Sequence, residues 1–495
     1  MSVALHRPQT QPPGSWVAPR RAVALAMLLA ASAALVAALA GHGVRSTLGG
    51  QAAVDEPQYL LSAAALWRAH DLDISAELAA GTWRAYHQAE LPQQTRVLPG
   101  GRQLSPHDPL LPLLLAVPVG LFGLAGAKLA LALVSAATAA LTVWTAVRRF
   151  AVPPTMAGLG VALAFASPPL AVYAQQVYPE LPAALATLAA AAALAGPLRT
   201  GALAALLTAV CALPWLGVKY VPVAAALALV GLWRLRHRTR AALALAGVLA
   251  LSGAGYLLAH RLIWGGWTVY ATGDHFARTG EFSVVGVSPD YVGRSLRLVA
   301  LLVDRGFGIA AWAPAWLLVV PALGAAVGAA LARRERRNRT ASLVLPLLAG
   351  WATATWVALT MHGYWWPGRQ VVVVLPLAVL LVLAWLAELG RRAQLAAGLT
   401  ALAGAATYAA LVVAGSAGRL TWVFGRDQLT GAPLWRLAQP LWPDYQVLSA
   451  PGLHLGQLAG HLAWSLLLAA ALVASFRHAR RTPVRTTNTP TEVLS

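Results

Sequence analysis

Cysteine occurs once in this chain, at Cys211, so neither an intramolecular disulfide framework nor a CxxC metal site can form. Lysine occurs only at Lys128 and Lys219, and the acids number 17 against 37 Lys+Arg. No glycine-rich nucleotide motif and no internal repeat stands out. Charged residues make up only 11% of 495, while 58% are hydrophobic. A soluble core saturates long before it can absorb that much apolar surface, so a soluble globular protein is excluded. Mean hydropathy is +0.63.

The apolar residues come in runs of roughly 17–23, long enough for a helix to cross a hydrocarbon layer of about 30 Å. An all-α polytopic membrane protein follows. The net charge of +20 does not signal nucleic-acid binding, because the arginines sit in short loops between apolar runs. They cluster at Arg20-Arg21, Arg148-Arg149, Arg199, Arg234 to Arg240, Arg333 to Arg339, Arg391-Arg392 and Arg477 to Arg481. Basic loops favour the cytoplasm, so neighbouring clusters must be separated by an even number of crossings.

The run from Ala22 to Ala40 exceeds the ~7–15 residues of a signal-peptide core and is kept as the first span. Between Arg21 and Arg148 there are three apolar stretches, 22–41, 109–124 and 126–147, one of which cannot cross. The middle one carries Pro109, Pro112 and Pro118 and reads as an interfacial or re-entrant helix. Further spans fall at 153–174, 179–196, 201–214, 218–233, 241–262, 308–331, 341–360, 371–387, 393–415 and 458–475. About twelve crossings result, with both termini in the cytoplasm. The large segments outside are then 42–125, 263–307 and 416–457, and the C-terminal tail reads as disordered.

None of these spans holds an Asp or Glu near its middle, where an ion-coupled transporter needs an ionisable relay. Polar chemistry lies at the outer surface instead. Asp55-Glu56 precedes Pro57 and an amphipathic run, and His107-Asp108 precedes Pro109; both are helix-start patterns in which the acid can serve as a cap. Lys128, Lys219 and Arg369 lie at outer span ends, against the positive-inside bias, where snorkelling is the plain alternative to function. Glu180 also lies at an outer span end, and Trp365-Trp366 reads as an interfacial belt.

The run DEPQYLLSAAALW, the loop ending in SPHDPLLPLLLAVPVGLFG and a span closing on Arg148-Arg149 resemble the GT-C glycosyltransferases. The likeness is to the bacterial branch related to protein mannosyltransferases and aminoarabinose transferases. QQVYPELPAAL, PWLGVKY and WWPGRQ are similar to further motifs of that branch, and the resemblance covers residues 20–385. It implies a GT-C-like catalytic module over 20–385 with outer loop 42–125; the stretch 386–495 has no counterpart in it and reads by hydropathy as C-terminal helices over 386–475 with outer loop 416–457 and a tail at 476–495, with a further tail at 1–19.

The resemblance further implies inverting transfer of a sugar, hexosyl or pentosyl, from a polyprenyl-phosphate donor to a lipid, glycan or protein acceptor. The expected setting is the outer face of a bacterial cell membrane, in cell-envelope synthesis. Such a reaction needs a carboxylate base for the acceptor hydroxyl and cations for the leaving phosphate. Asp55 is the expected base and Glu56 the supporting acid, since neighbouring helical residues point about 100° apart and cannot share one target. Lys219 and Arg369, with Tyr220 and Glu180, are the expected lipid-phosphate or substrate residues. A divalent metal is left open, with His107 and Asp108 as its candidate ligands. The mannosyltransferase group carries a His-Pro-Pro-like element where this chain reads His107-Asp108-Pro109, so sugar and acceptor are left open. The alternative from another class is a twelve-span transporter or lipid flippase, which the span count fits equally well.

Overall fold

A computed structural model describes residues 18–274, 285–423, 425 and 432–481. The tail up to residue 17, His275 and the tail from 482 lie outside the described residues. Among the described residues there is no strand, only isolated bridges. The main helices are α1 (Arg20–Ala40), α2 (Glu56–Ala69), α3 (Leu110–Phe150), α4 (Pro154–Phe165), α5 (Glu180–Leu194), α6 (Thr200–Leu216), α7 (Val221–Leu235) and α8 (Thr239–Ile263). They are followed by α9 (Val319–Ala332), α10 (Arg337–Ala352), α11 (Leu375–Leu386), α12 (Arg391–Ser416) and α13 (Leu455–Arg481).

Nine stretches of the described chain are long and apolar enough to cross a membrane, and α4, α5 and α6 are shorter apolar helices. Together they match the expected set of crossings, and the chain is a multi-pass membrane protein. Leucines on α1, α3, α8 and α13 are left exposed on the outer faces, as lipid-facing residues should be.

Several boundaries differ from expectation. The stretch 153–174 is not one span: α4 stops at Phe165, ahead of Pro168 and Pro169, and a short helix resumes at Leu170–Tyr173. Prolines supply no backbone donor, so the ladder cannot run through them. The 109–124 helix is joined to the next span within α3 and set off from it at Gly123, whose φ of 58° and ψ of −141° leave the helical region. The chain that was expected to be disordered from 476 stays helical to Arg481.

The arginine clusters gather at one end of the bundle. Arg148 donates to Ala18 O at 3.2 Å, Arg149 to Ala192 O at 3.2 Å, Arg234 to Leu194 O, and Arg336 pairs with Glu388 at 2.5 Å. Arg149 and Arg234 there meet the C-terminal carbonyls of α5, which carry the negative end of its dipole. At the opposite end, the first residues of α2 and α5 and the turns ahead of α3, α7 and α11 converge. The loop between α1 and α3 covers them, pinned by bridges Gly50–His87, Asp73–Leu104 and Thr95–Gly273.

Once Cys211 is replaced by serine, cysteines introduced at Gly100 and Arg336 should react with a membrane-impermeant thiol reagent from opposite faces of sealed vesicles. Labelling of both from one face would contradict the two-ended arrangement.

Candidate functional site

Asp55 sits at the N-cap of α2, yet its side chain makes no capping bond. Arg369 takes it instead, Nη2 to Oδ2 at 2.7 Å, and His107 Nε2 lies 3.8 Å from Oδ1. Burial pushes the Asp55 pKa up, but the Arg369 guanidinium and His107 outweigh it and hold the carboxyl well below the usual carboxylate range. Val54, just before it, is a β-branched residue at φ 59°, a conformation that costs on the order of 1–3 kcal/mol.

Glu56 is what holds that turn. Its Oε2 accepts from Ser46 Oγ at 2.5 Å and Ala53 N at 3.0 Å, and its Oε1 from Val177 N at 2.8 Å. Gln94 Nε2 donates to Val54 O at 2.9 Å. Glu56 is 1% exposed, and burial pushes its pKa up against the pull of Lys128 and these donors. The two neighbouring acids therefore do different work: one faces a cation at the cavity, and the other ties three chain segments together behind it.

Arg369 is shared. Its Nε donates to Glu180 Oε1 at 3.0 Å, while its Cζ lies 4.0 Å from the Tyr178 ring centroid and 5.3 Å from that of Trp365. Gly368 precedes it at φ 86°, and a Cβ there would approach Ile309 Cγ2 to 2.6 Å, so only glycine fits the turn. Glu180 Oε1 also accepts from Lys219 Nζ at 2.7 Å. The result is a continuous chain, Asp55–Arg369–Glu180–Lys219, of alternating charge. Glu180 is fully buried, and its Oε2 has no hydrogen-bond partner among the described residues.

Asp55, His107, Lys219 and Arg369 line one cavity of about 420 Å³, with Leu216, Val357, Leu359 and Trp365 as apolar wall. Such a space suits a ligand that is part hydrocarbon and part anion. Asp108 also lines it but does not cap its helix, where Pro109 holds the N-cap position. Asp108 Oδ2 accepts from Val218 N at 3.0 Å and Oδ1 from the Tyr256 hydroxyl at 2.8 Å, with His260 Nε2 at 3.2 Å from Oδ1. It thereby fixes the turn that carries Lys219.

His107 and Asp108 do not form a ligand pair. Asp108 is committed to Val218 N, Tyr256 and His260, while His107, its Nδ1 on Ser105 Oγ at 3.0 Å, turns Nε2 toward Asp55, a carboxylate already paired with Arg369. A divalent cation bound there would lie against Arg369. Among the described residues, no group of three or more His, Cys, Asp or Glu side chains is placed to hold one.

Other expectations change with the geometry. Tyr220 is 3% exposed and is not part of the cavity wall; its ring lies under Lys219 Nζ at 5.2 Å. None of the three expected cations snorkels: Lys128 is 2% exposed and donates to His42 O at 2.9 Å. Trp365 and Trp366 are not an interfacial belt. Trp366 is buried against Trp312 and Trp422, and Trp365 lies over Arg369. Sequence reasoning missed Tyr178, which stacks on Arg369, and Tyr59, whose ring lies 4.6 Å from that of His107. Tyr59 was legible, since it follows Asp55 by four residues, one helical turn along the same face.

The fold and site define an all-α, multi-pass membrane protein whose cavity combines apolar walls with a buried chain of ion pairs. Crystal structures of ArnT from Cupriavidus metallidurans are similar to it. The form bound to undecaprenyl phosphate superposes with a TM-score of 0.45 at 17% identity, over 94% of this chain and 78% of that one. The apo form gives 0.46 at 17% identity, over 93% and 78%. Superposition at that level carries no function across. No protein-family model matches the chain, and no curated protein matches it.

Glu56→Gln leaves one of its three donors facing an amide N–H₂. It should lower the unfolding free energy by about 1–3 kcal/mol, read as a drop in melting temperature in detergent. An unchanged Tm would contradict the tie assigned to Glu56.

Proposed function

We propose that this protein transfers a sugar from a polyprenyl-phosphate donor to an acceptor at the outer face of a bacterial cell membrane, with both termini in the cytoplasm. The observation that carries the reading is Arg369 shared between Asp55 and Glu180 at the wall of a largely apolar cavity, at the end of the bundle away from the arginine clusters. The positive-inside tendency assigns that end to the outer side. The resemblance of residues 20–385 to GT-C glycosyltransferases supports the same reading.

In the proposed step, the acceptor hydroxyl gives its proton to Asp55 and its oxygen attacks the anomeric carbon opposite the phosphate. The bond from that carbon to the phosphate oxygen breaks, the electron pair leaves on the polyprenyl phosphate, and the configuration inverts. Lys219 and Arg369 receive the developing charge. A phosphate monoester is stable enough as a leaving group that no general acid is required.

The resting geometry has a further consequence. A carboxylate paired with a guanidinium at 2.7 Å is a weak base. Donor phosphate competes for the same N–H groups and draws Arg369 away from Asp55, whose basicity then rises. The base is thus activated only when the donor is present, which limits wasteful reaction.

The test is sugar release by the purified protein in detergent from a panel of polyprenyl-phosphate sugars. Asp55→Asn should cut release by about a hundredfold or more, and equal release by both proteins would remove the assigned base. Lys219→Ala and Arg369→Ala should each weaken donor binding by about tenfold or more; unchanged affinity in both would overturn the phosphate assignment. Solute counterflow in liposomes, with no donor binding, would assign the protein to transport.

A further inference from the structure

A second cavity, of about 490 Å³, shares Leu359 and Thr360 with the first. Its other polar lining includes Asp290, Arg294, Arg297, His362 and Ser449. Two guanidiniums thus stand against one lining carboxylate, and Asp290 Oδ1 is already engaged by Gly293 N at 2.8 Å.

What the two arginines bind is neutral. Arg294 donates to Trp356 O at 2.8 Å and Val285 O at 2.6 Å, and Arg297 to Ala358 O at 2.7 Å and Leu359 O at 3.2 Å. Carbonyls satisfy N–H groups without cancelling charge, and a guanidinium has five N–H donors, so each arginine keeps both its charge and unspent donors. Arg294 is 7% exposed, so that charge sits in surroundings that screen it poorly. His362 Nε2 is buried without a hydrogen-bond partner, 3.7 Å from Asp304 Oδ2. A cavity lined by two fixed cations bonded only to neutral carbonyls is built for an anion.

Its position matters as much as its charge. The carbonyls of Trp356, Ala358 and Leu359 lie at and just past the π-helical turn Thr353–Val357, and Thr353, Val357 and Ala358 also line the first cavity. The arginines that would bind the anion therefore also set the wall that faces the donor. π-Turns inside helices recur at functional sites because they re-aim backbone groups.

We infer that the second cavity binds the anionic group, phosphate or carboxylate, of the sugar acceptor, on the other side of the Leu359–Thr360 wall from the donor. The assignment to an acceptor rests on the transfer reading above; the anion site does not. Charge on the acceptor would be held by Arg294 and Arg297 while its hydroxyl is presented to the first cavity.

The probe is inorganic pyrophosphate, titrated calorimetrically into the full-length protein in neutral detergent. Wild type should bind it saturably, and Arg294→Gln/Arg297→Gln should bind about tenfold more weakly or worse. Because those arginines also brace the wall, Ser449→Trp is the second variant: it fills the cavity from an exposed position, should keep the melting temperature and should lose binding equally. No saturable binding, or wild-type affinity in Ser449→Trp, would overturn the proposal. Competition by phosphatidylglycerol but not phosphatidylcholine in nanodiscs would give the site to a lipid headgroup and overturn the acceptor. Pyrophosphate binding as expected from a protein that releases no sugar from any donor would keep the anion site and remove the transfer reading.

Discussion

Arg369 is the point on which the site depends. It joins Asp55, from the first long loop, to Glu180, at the head of α5, and it does so from a glycine-led turn ahead of α11. Its guanidinium is planar and forked, so one face can lie on Tyr178 while the nitrogens reach two different carboxylates. Lysine could not do all three. Without this cation, Asp55 would be a half-buried carboxylate with only His107 beside it, and Glu180 would rely on Lys219 alone.

The chain of pairs is balanced: two carboxylates against two cations, poorly screened by solvent. Buried pairs of this kind add little net stability, because desolvation offsets most of the attraction, but removing one member leaves a costly unpaired charge. Their value here is positional. In the proposed reaction they hold a phosphate-sized set of donors ready at the wall of an apolar cavity, where the donor's own charge would take over the place of Asp55. The supporting groups are fixed in turn. Glu56 ties the strained Val54 turn, and Asp108, with Tyr256 and His260, fixes the turn that carries Lys219.

Much of this architecture was legible in the sequence. Apolar run lengths anticipated the helices, and the arginine clusters anticipated an end of the bundle where Arg148, Arg234 and Arg336 now meet helix ends and Glu388. Asp55, Glu180, Lys219 and Arg369 stood out because ionisable residues are scarce and these sit at span ends. What the sequence could not carry was who pairs with whom. Asp55 and Arg369 are 314 residues apart, and no local pattern reports a contact at that separation. The same blindness made Asp55 and Asp108 look like helix caps, since Asp before Pro has identical local grammar whether its side chain turns to its own helix or to a partner. The break at Pro168-Pro169 was visible but was read through, because hydropathy continued across it. The second cavity left no trace, as its arginines come from 263–307, which the sequence marks only as a large outer segment.

In the proposed mechanism, Asp55 and the donor phosphate compete for Arg369. Removing the negative charge at position 55 should therefore strengthen donor binding even as it abolishes transfer. The direct measurement is the dissociation constant of polyprenyl phosphate for wild type and Asp55→Asn in the same detergent. The account predicts a value lower in the variant by about tenfold. Equal or weaker binding by Asp55→Asn would contradict it.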